Sequence, residues 1–199
     1  MGYNILLPDL HGHGLSDGDD IQMGWKDRLD VMHWMDVTER MFRQSGCESR
    51  MVVHGVSMGA ATTMNISGEK TPGYVKCFVE DCGYTSAWDE FAHEMKKRFD
   101  ISEFPLLYVS SALCKLKYGW SFGEAAPVRR VAECGKPMFF IHGGKDDFVP
   151  TAMVYPCYEA KPQPKALWIA PGSAHAVSYR DHKKEYTERV KAFVEKWAE

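Results

Sequence analysis

The chain has 199 residues, of which 45% are apolar and 13% aromatic, and its formal net charge at pH 7 is −3. That length suffices for one domain with a sizeable core, and the apolar and aromatic shares exclude a disordered chain. The weak net charge leaves no footprint for nucleic acid or an anionic membrane, and no apolar run approaches the roughly 20 residues of a membrane span.

In chain order, Tyr3-Asn4-Ile5-Leu6-Leu7 is predicted to form a first strand, stopped by Pro8 and the glycine-rich His11-Gly12-His13-Gly14. Met1 to Leu7 lacks the basic start and long apolar stretch of a signal peptide. From Gly24 to Arg43 the residues Trp25, Leu29, Met32, Met35 and Phe42 fall on one face of a helix. Met51 to Val56 reads as a second strand and Ala60 to Ile66 as the helix after it. Val75 to Glu80 is a third strand, Pro137 to Ile141 a fourth, Ala166 to Ala170 a fifth, and a closing helix runs from about Asp181 to Trp197. Strands alternating with helices indicate an α/β fold with a mainly parallel sheet. The interval between the third and fourth strands is too long for one crossover. Helical patterns and clustered aromatics there predict a small helical insertion over residues 87–130, above the carboxyl edge of a single-domain core formed by 1–86 and 131–199.

The six cysteines, Cys47, Cys77, Cys82, Cys114, Cys134 and Cys157, show no CxxC pair and no metal-ligand spacing. They read as reduced, mostly buried thiols of a cytoplasmic protein. No cofactor or metal is expected.

Gly55-Val56-Ser57-Met58-Gly59 fits G-x-S-x-G. The pentapeptide alone is a weak signal. Its context is stronger: a β-branched strand leads in, and Ala60 and Ala61 lead into a helix, the strand-turn-helix in which a serine hydroxyl is presented on a strained turn. Glycines on both sides suit a turn with no room for a β-carbon. The N–H of Met58, one residue past the serine and at a helix amino terminus, can donate to an oxyanion.

A serine hydroxyl needs a base, and the base needs an orienting carboxylate. In this arrangement they follow in the order serine, acid, histidine, each on a loop past a strand's carboxyl end. The fourth strand runs into His142-Gly143-Gly144-Lys145-Asp146-Asp147-Phe148-Val149-Pro150. Asp146, directly after the glycine turn, is preferred over Asp147, which suits a helix cap or solvent, and over Asp81 at the end of the third strand. Among eight histidines, His175 alone lies past the fifth strand and before the final helix. His11 and His13 precede Ser57 and lack the acidic or cysteine neighbours of a metal site. His54 and His142 read as structural hydrogen-bonders at strand ends, and His33, His93 and His182 as helix residues.

These stretches, with Leu7-Pro8-Asp9-Leu10-His11-Gly12-His13-Gly14-Leu15-Ser16 and Asp81-Cys82-Gly83-Tyr84-Thr85-Ser86, resemble the α/β-hydrolase superfamily. Within it, the chain is similar to small bacterial hydrolases labelled carboxylesterase or serine-aminopeptidase-like. The resemblance implies H-G-x-x-D-x-x-V-P with Asp146 as the acid. His11 stands where relatives commonly carry a structural arginine. The resemblance also implies three further strands before Tyr3, the last followed by an H-G loop that supplies a second oxyanion N–H, so Met1 is expected to be internal to a longer protein or the chain to be a fragment.

The function expected is hydrolysis of a small carboxylic ester through an acyl-enzyme on Ser57, with Asp146 and His175 as relay. Amide or short-peptide hydrolysis by the same groups, and a truncated, impaired binding domain, are the alternatives. Trp88, Phe91 and Trp120 of the insertion are candidate walls of an apolar substrate pocket.

Overall fold

The computed structural model describes residues 2–198. Four strands, β1 (Met51–Val56), β2 (Val75–Asp81), β3 (Met138–Gly143) and β4 (Lys165–Ala170), form one parallel sheet in the order β1-β2-β3-β4. Parallel neighbours need long crossovers, and helices supply them: α1 (Asp27–Gln44) precedes β1, α2 (Met58–Ser67) joins β1 to β2, and α6 (Val154–Ala160) lies between β3 and β4.

Side-chain alternation along the central strands builds two cores. Phe78 of β2 and Met138 and Phe140 of β3 pack with Met35 of α1, Met64 and Ile66 of α2, and Val154 and Cys157 of α6. On the opposite face, Cys77, Val79, Phe139, Ile141 and Trp168 meet Tyr186, Val190 and Val194 of α8 (Lys183–Ala198). The period of two thus feeds both layers at once, as a sheet covered on both faces requires. Phe78, Val79, Phe140 and Ile141 are completely buried. No helix among the described residues is long and apolar enough to cross a membrane.

Between β2 and β3 lie α3 (Ala87–Phe99), α4 (Leu106–Tyr118) and α5 (Pro127–Val131). Ser86 caps α3 by accepting the N–H of Asp89 at 3.0 Å, and its own hydroxyl donates to the Asp89 carboxylate at 2.7 Å. Ala87, Trp120 and Ala125 form the small core of this region. Its last helix, α5, places Val131 in the α2 side of the main core.

Three sequence expectations differ from the structure. Tyr3 to Leu7 is not a strand. A strand exists only as part of a ladder, and no described strand lies beside this segment, so Ile5 and Leu7 stay 79% and 86% exposed. Among the described residues β1 consequently pairs only with β2 and lies at an edge of the sheet. Second, α1 starts at Asp27 rather than Gly24: Gly24 has φ +70°, outside helical space, and its N–H is held by the Asp27 carboxylate at 2.8 Å. Third, the closing helix starts at Lys183 rather than about Asp181, and an extra short helix precedes it. A short α7 (Ser178–Asp181) is separated from α8 by His182, whose φ of −126° leaves the helical region.

Candidate active site

β1 delivers Ser57 to the carboxyl edge of the sheet. The residue holds φ 56° and ψ −117°, a conformation rare for a side-chain-bearing residue and one the surroundings must enforce. Its N–H donates to Asp81 O at 2.8 Å, locking the turn to the end of β2, and its C=O accepts from Ala61 N at 3.0 Å to open α2. A β-carbon at Gly55 would lie 1.9 Å from Gly59 O, so glycine is obligatory there. At Gly59 an added β-carbon meets nothing within 4 Å. The expected steric demand on both glycines therefore holds for Gly55 only. Met58 is the first residue of α2, and its N–H is among those a helix cannot pair internally.

The acid and base come from the loops after β3 and β4, and Gly143 lets those loops meet. A β-carbon at Gly143 would fall 2.5 Å from Ser173 O and 2.6 Å from Ala174 O. The loops are stitched by Gly144 N to Ala170 O and Lys145 N to Ser173 O, both 2.8 Å. Asp146 is thereby fixed on all sides. Its Oδ1 accepts the N–H groups of Phe148 (3.1 Å) and Val149 (3.0 Å), while Oδ2 lies 2.8 Å from His175 Nδ1 and 3.3 Å from His142 Nε2. On the other side of the imidazole, His175 Nε2 lies 2.8 Å from Ser57 Oγ. Since Oδ2 can only accept from Nδ1, the neutral ring carries its hydrogen on Nδ1 and leaves Nε2 free to accept from the serine.

Electrostatics follow the contacts. Burial alone would raise the Asp146 carboxyl, but hydrogen bonds from His142 and His175 outweigh it and hold its pKa at about 2. Beneath it, burial pushes Glu80 up to about 8 despite His142 and the Gly83 N–H, which donates to Glu80 Oε2 at 3.0 Å. His142 is completely buried. Burial opposes its protonation, yet the bonds to Asp146 and to Val149 O (3.0 Å) raise its pKa overall.

Comparison with known proteins fits this arrangement. The model of the prolyl oligopeptidase family matches residues 1–199. The chain belongs to the prolyl oligopeptidase family. Its fold is that of the α/β-hydrolases, with a partial sheet. Over 195 residues it is 28% identical to YqkD, an uncharacterized protein of Bacillus subtilis, covering 98% of this chain and 63% of that protein. The chain thus spans less than two thirds of that relative's length. Among solved structures, an esterase of Pyrococcus furiosus superposes with a TM-score of 0.72 at 21% identity over 96% of this chain and 70% of that one. An acylaminoacyl peptidase of Pyrococcus horikoshii does so with a TM-score of 0.68 at 18% identity, over 88% of this chain and 28% of that one.

In this member of the prolyl oligopeptidase family, the other candidates lie apart from the reacting groups. The Asp147 side chain points to solvent and Lys97 of α3, whose Nζ is 3.1 Å from its carboxylate. Asp81 accepts from Ser178 Oγ at 3.4 Å. His11 pairs with Asp20 at 3.0 Å. Trp88 donates to Glu103 Oε2 at 3.0 Å, stands edge-on to Tyr108, and lines a cleft of about 320 Å³ whose walls do not include Ser57. Phe91 packs against Phe122. Trp120 is only 3% exposed and packed against Ala87 and Ala125; as the interior of the α3–α4 region, it cannot wall an open pocket. The aromatic ring beside the base is instead Phe148, 38% exposed, with its centroid 4.8 Å from that of His175. Its signal in sequence is its position two residues past Asp146.

Proposed function

We propose that Ser57, His175 and Asp146 are the relay of a serine hydrolase that cleaves carboxylic esters. The observation that carries this reading is the unbroken line from Ser57 Oγ to His175 Nε2 and from His175 Nδ1 to Asp146 Oδ2, both at 2.8 Å. His175 Nε2 takes the hydroxyl proton as Ser57 Oγ attacks the ester carbonyl, and the imidazolium returns that proton to the departing alcohol. Asp146, ionised throughout the neutral range, holds the ring's tautomer and stabilises its cation. The Met58 N–H and the amino end of α2 stabilise the oxyanion. Water, activated by the same imidazole, then releases the acid and restores Ser57. Phe148 forms an apolar wall beside the base.

The family match favours a second reading, hydrolysis of an amide or short peptide by the same groups. Because the chain spans 63% of YqkD, activity and substrate of a longer protein belong to this proposal as well.

A fluorophosphonate probe tests the reading. Folded protein is expected to be labelled, Ser57→Ala to lose the label, and ester turnover in that variant to fall by about 10⁴-fold or more. Absence of labelling in soluble, folded protein would refute it. Parallel p-nitrophenyl esters and p-nitroanilides separate the two substrate classes. If Met58 supplies the oxyanion's sole donor, turnover is expected about 10²–10³-fold below that of a two-donor site, with labelling retained.

A further inference from the structure

Cys82 also lies against the Asp146–His175 pair, and none of the proposed steps uses it. It follows Asp81 at the carboxyl end of β2, and its N–H donates to Ile141 O at 2.9 Å. Like Ser57 it holds a left-handed backbone, φ 55°. The sulfur of Cys82, a carboxylate oxygen of Asp146 and a ring nitrogen of His175 all lie within 4.8 Å of one another. Cys82 is completely buried and Asp146 only 6% exposed. The His175 side chain, 19% exposed, opens the group to solvent.

We propose that Cys82, Asp146 and His175 form a site for a soft divalent cation of the zinc or cadmium class, and that its occupation switches off the relay. The inference rests on the hydrolase reading for its consequence, but not for the binding itself. Thiolate, imidazole and carboxylate are the donor set such ions select. An ion about 2.0–2.3 Å from each of three ligands brings those ligands to within about 4 Å of one another, so closing the present spacing needs shifts of an ångström or less. Burial pushes the Cys82 thiol up, and the carboxylates of Asp81 and Asp146 beside its sulfur favour a cation there over a bare thiolate. Three protein ligands leave an outer position for water on the exposed side of His175.

The proton balance explains the inhibition. Cys82 releases its thiol proton to solvent as the S–metal bond forms. If the ion takes His175 Nδ1, the ring hydrogen moves to Nε2 and points at Ser57 Oγ, so Nε2 can no longer accept. If it takes Nε2, the accepting lone pair is occupied. In both cases Ser57 keeps its proton. Sequence spacing cannot announce this site, because its three ligands sit past three different strands and meet only at the edge of the folded sheet.

Cadmium titration tests the proposal in a Cys47→Ser background, which removes the exposed thiol. Stoichiometric cadmium is expected to produce thiolate-to-metal charge-transfer absorption in the ultraviolet. The same absorption should appear with Ser57→Ala, where catalysis plays no part. Ester hydrolysis and fluorophosphonate labelling should fall in step with that absorption and return with EDTA. In Cys82→Ala, with Cys82→Ser as a second variant and circular dichroism to show folding, the absorption should vanish. The half-inhibitory concentration, each protein scaled to its own ion-free rate, should rise at least about 10-fold. Absence of the absorption at stoichiometric cadmium, or inhibition undiminished in either folded Cys82 variant, overturns the proposal. A protein that binds cadmium through Cys82 but hydrolyses nothing would sink the hydrolase reading while leaving the site standing.

Discussion

Gly55 and Gly59 look equivalent in the pentapeptide around Ser57, yet they meet different surroundings. A methyl group at Gly55 would collide with Gly59 O at 1.9 Å and Thr63 Oγ1 at 2.6 Å, whereas one at Gly59 enters open space. Gly55→Ala is therefore expected to force the β1–α2 turn apart, costing about 1–3 kcal/mol or more of stability and displacing Ser57 from His175. Gly59→Ala, at an early helix position where alanine is the better former, should leave the melting temperature within a few degrees of the parent. Thermal melts of the two variants, read together with fluorophosphonate labelling, check this contrast. At this scale Ser57, Asp146 and His175 were legible because order along the chain and position past a strand constrain them. The approach of Cys82 and the crowding of Gly143 were not, because each depends on which loops touch.

At the scale of elements, Glu80 and His142 are among the titratable groups that the paired strands β2 and β3 carry into the core. Both are essentially inaccessible. Glu80 Oε1 and His142 Nδ1 find no hydrogen-bond partner among the described residues, an arrangement costly to a charge and tolerable to a neutral acid. With Glu80 raised to about 8 from an ordinary 4.5, the folded protein keeps a proton that the unfolded chain releases. Stability is therefore expected to decline as pH rises from about 4.5 to about 8 and to level off above. Glu80→Gln, which keeps the shape and removes the titration, should flatten that decline in melting temperature measured across the interval. The elements themselves were largely readable: four of five strands fall where apolar runs bounded by glycine and proline place them. Tyr3 to Leu7 has the composition of a strand without a partner in the described sheet, and composition cannot supply one.

For the whole molecule, Asp146 ties together the ends of β3 and β4 and, through the bond of His175 to Ser57, the end of β1. Its carboxyl is held at about 2, below an ordinary 3.8, by His142 and His175 working against burial. A depressed acid contributes stability above its unfolded pKa and loses it as pH falls through the folded one. Between about pH 4 and pH 2 this group alone should therefore withdraw about 2 kcal/mol. Denaturant melts at stepped acid pH on the parent and on Asp146→Asn are expected to show a steeper acid decline in the parent. The overall α/β architecture was legible because its central strands are apolar on both faces. The short helix α7 before the closing helix was not, since four residues are too few to show a helical period.

The open side of β1 bears on the reacting groups unequally. Val56, the residue before the nucleophile, is 43% exposed, and half the main-chain groups of β1 face away from any described strand. The acid lies past β3, which has neighbours on both sides, and the base is stitched to it by the loop bonds. Among the described strands the serine follows β1, which has one neighbour, and the acid follows β3, which has two. The bond from Ser57 N–H to Asp81 O then works as a tether, coupling the nucleophile to the second strand as well as to its own.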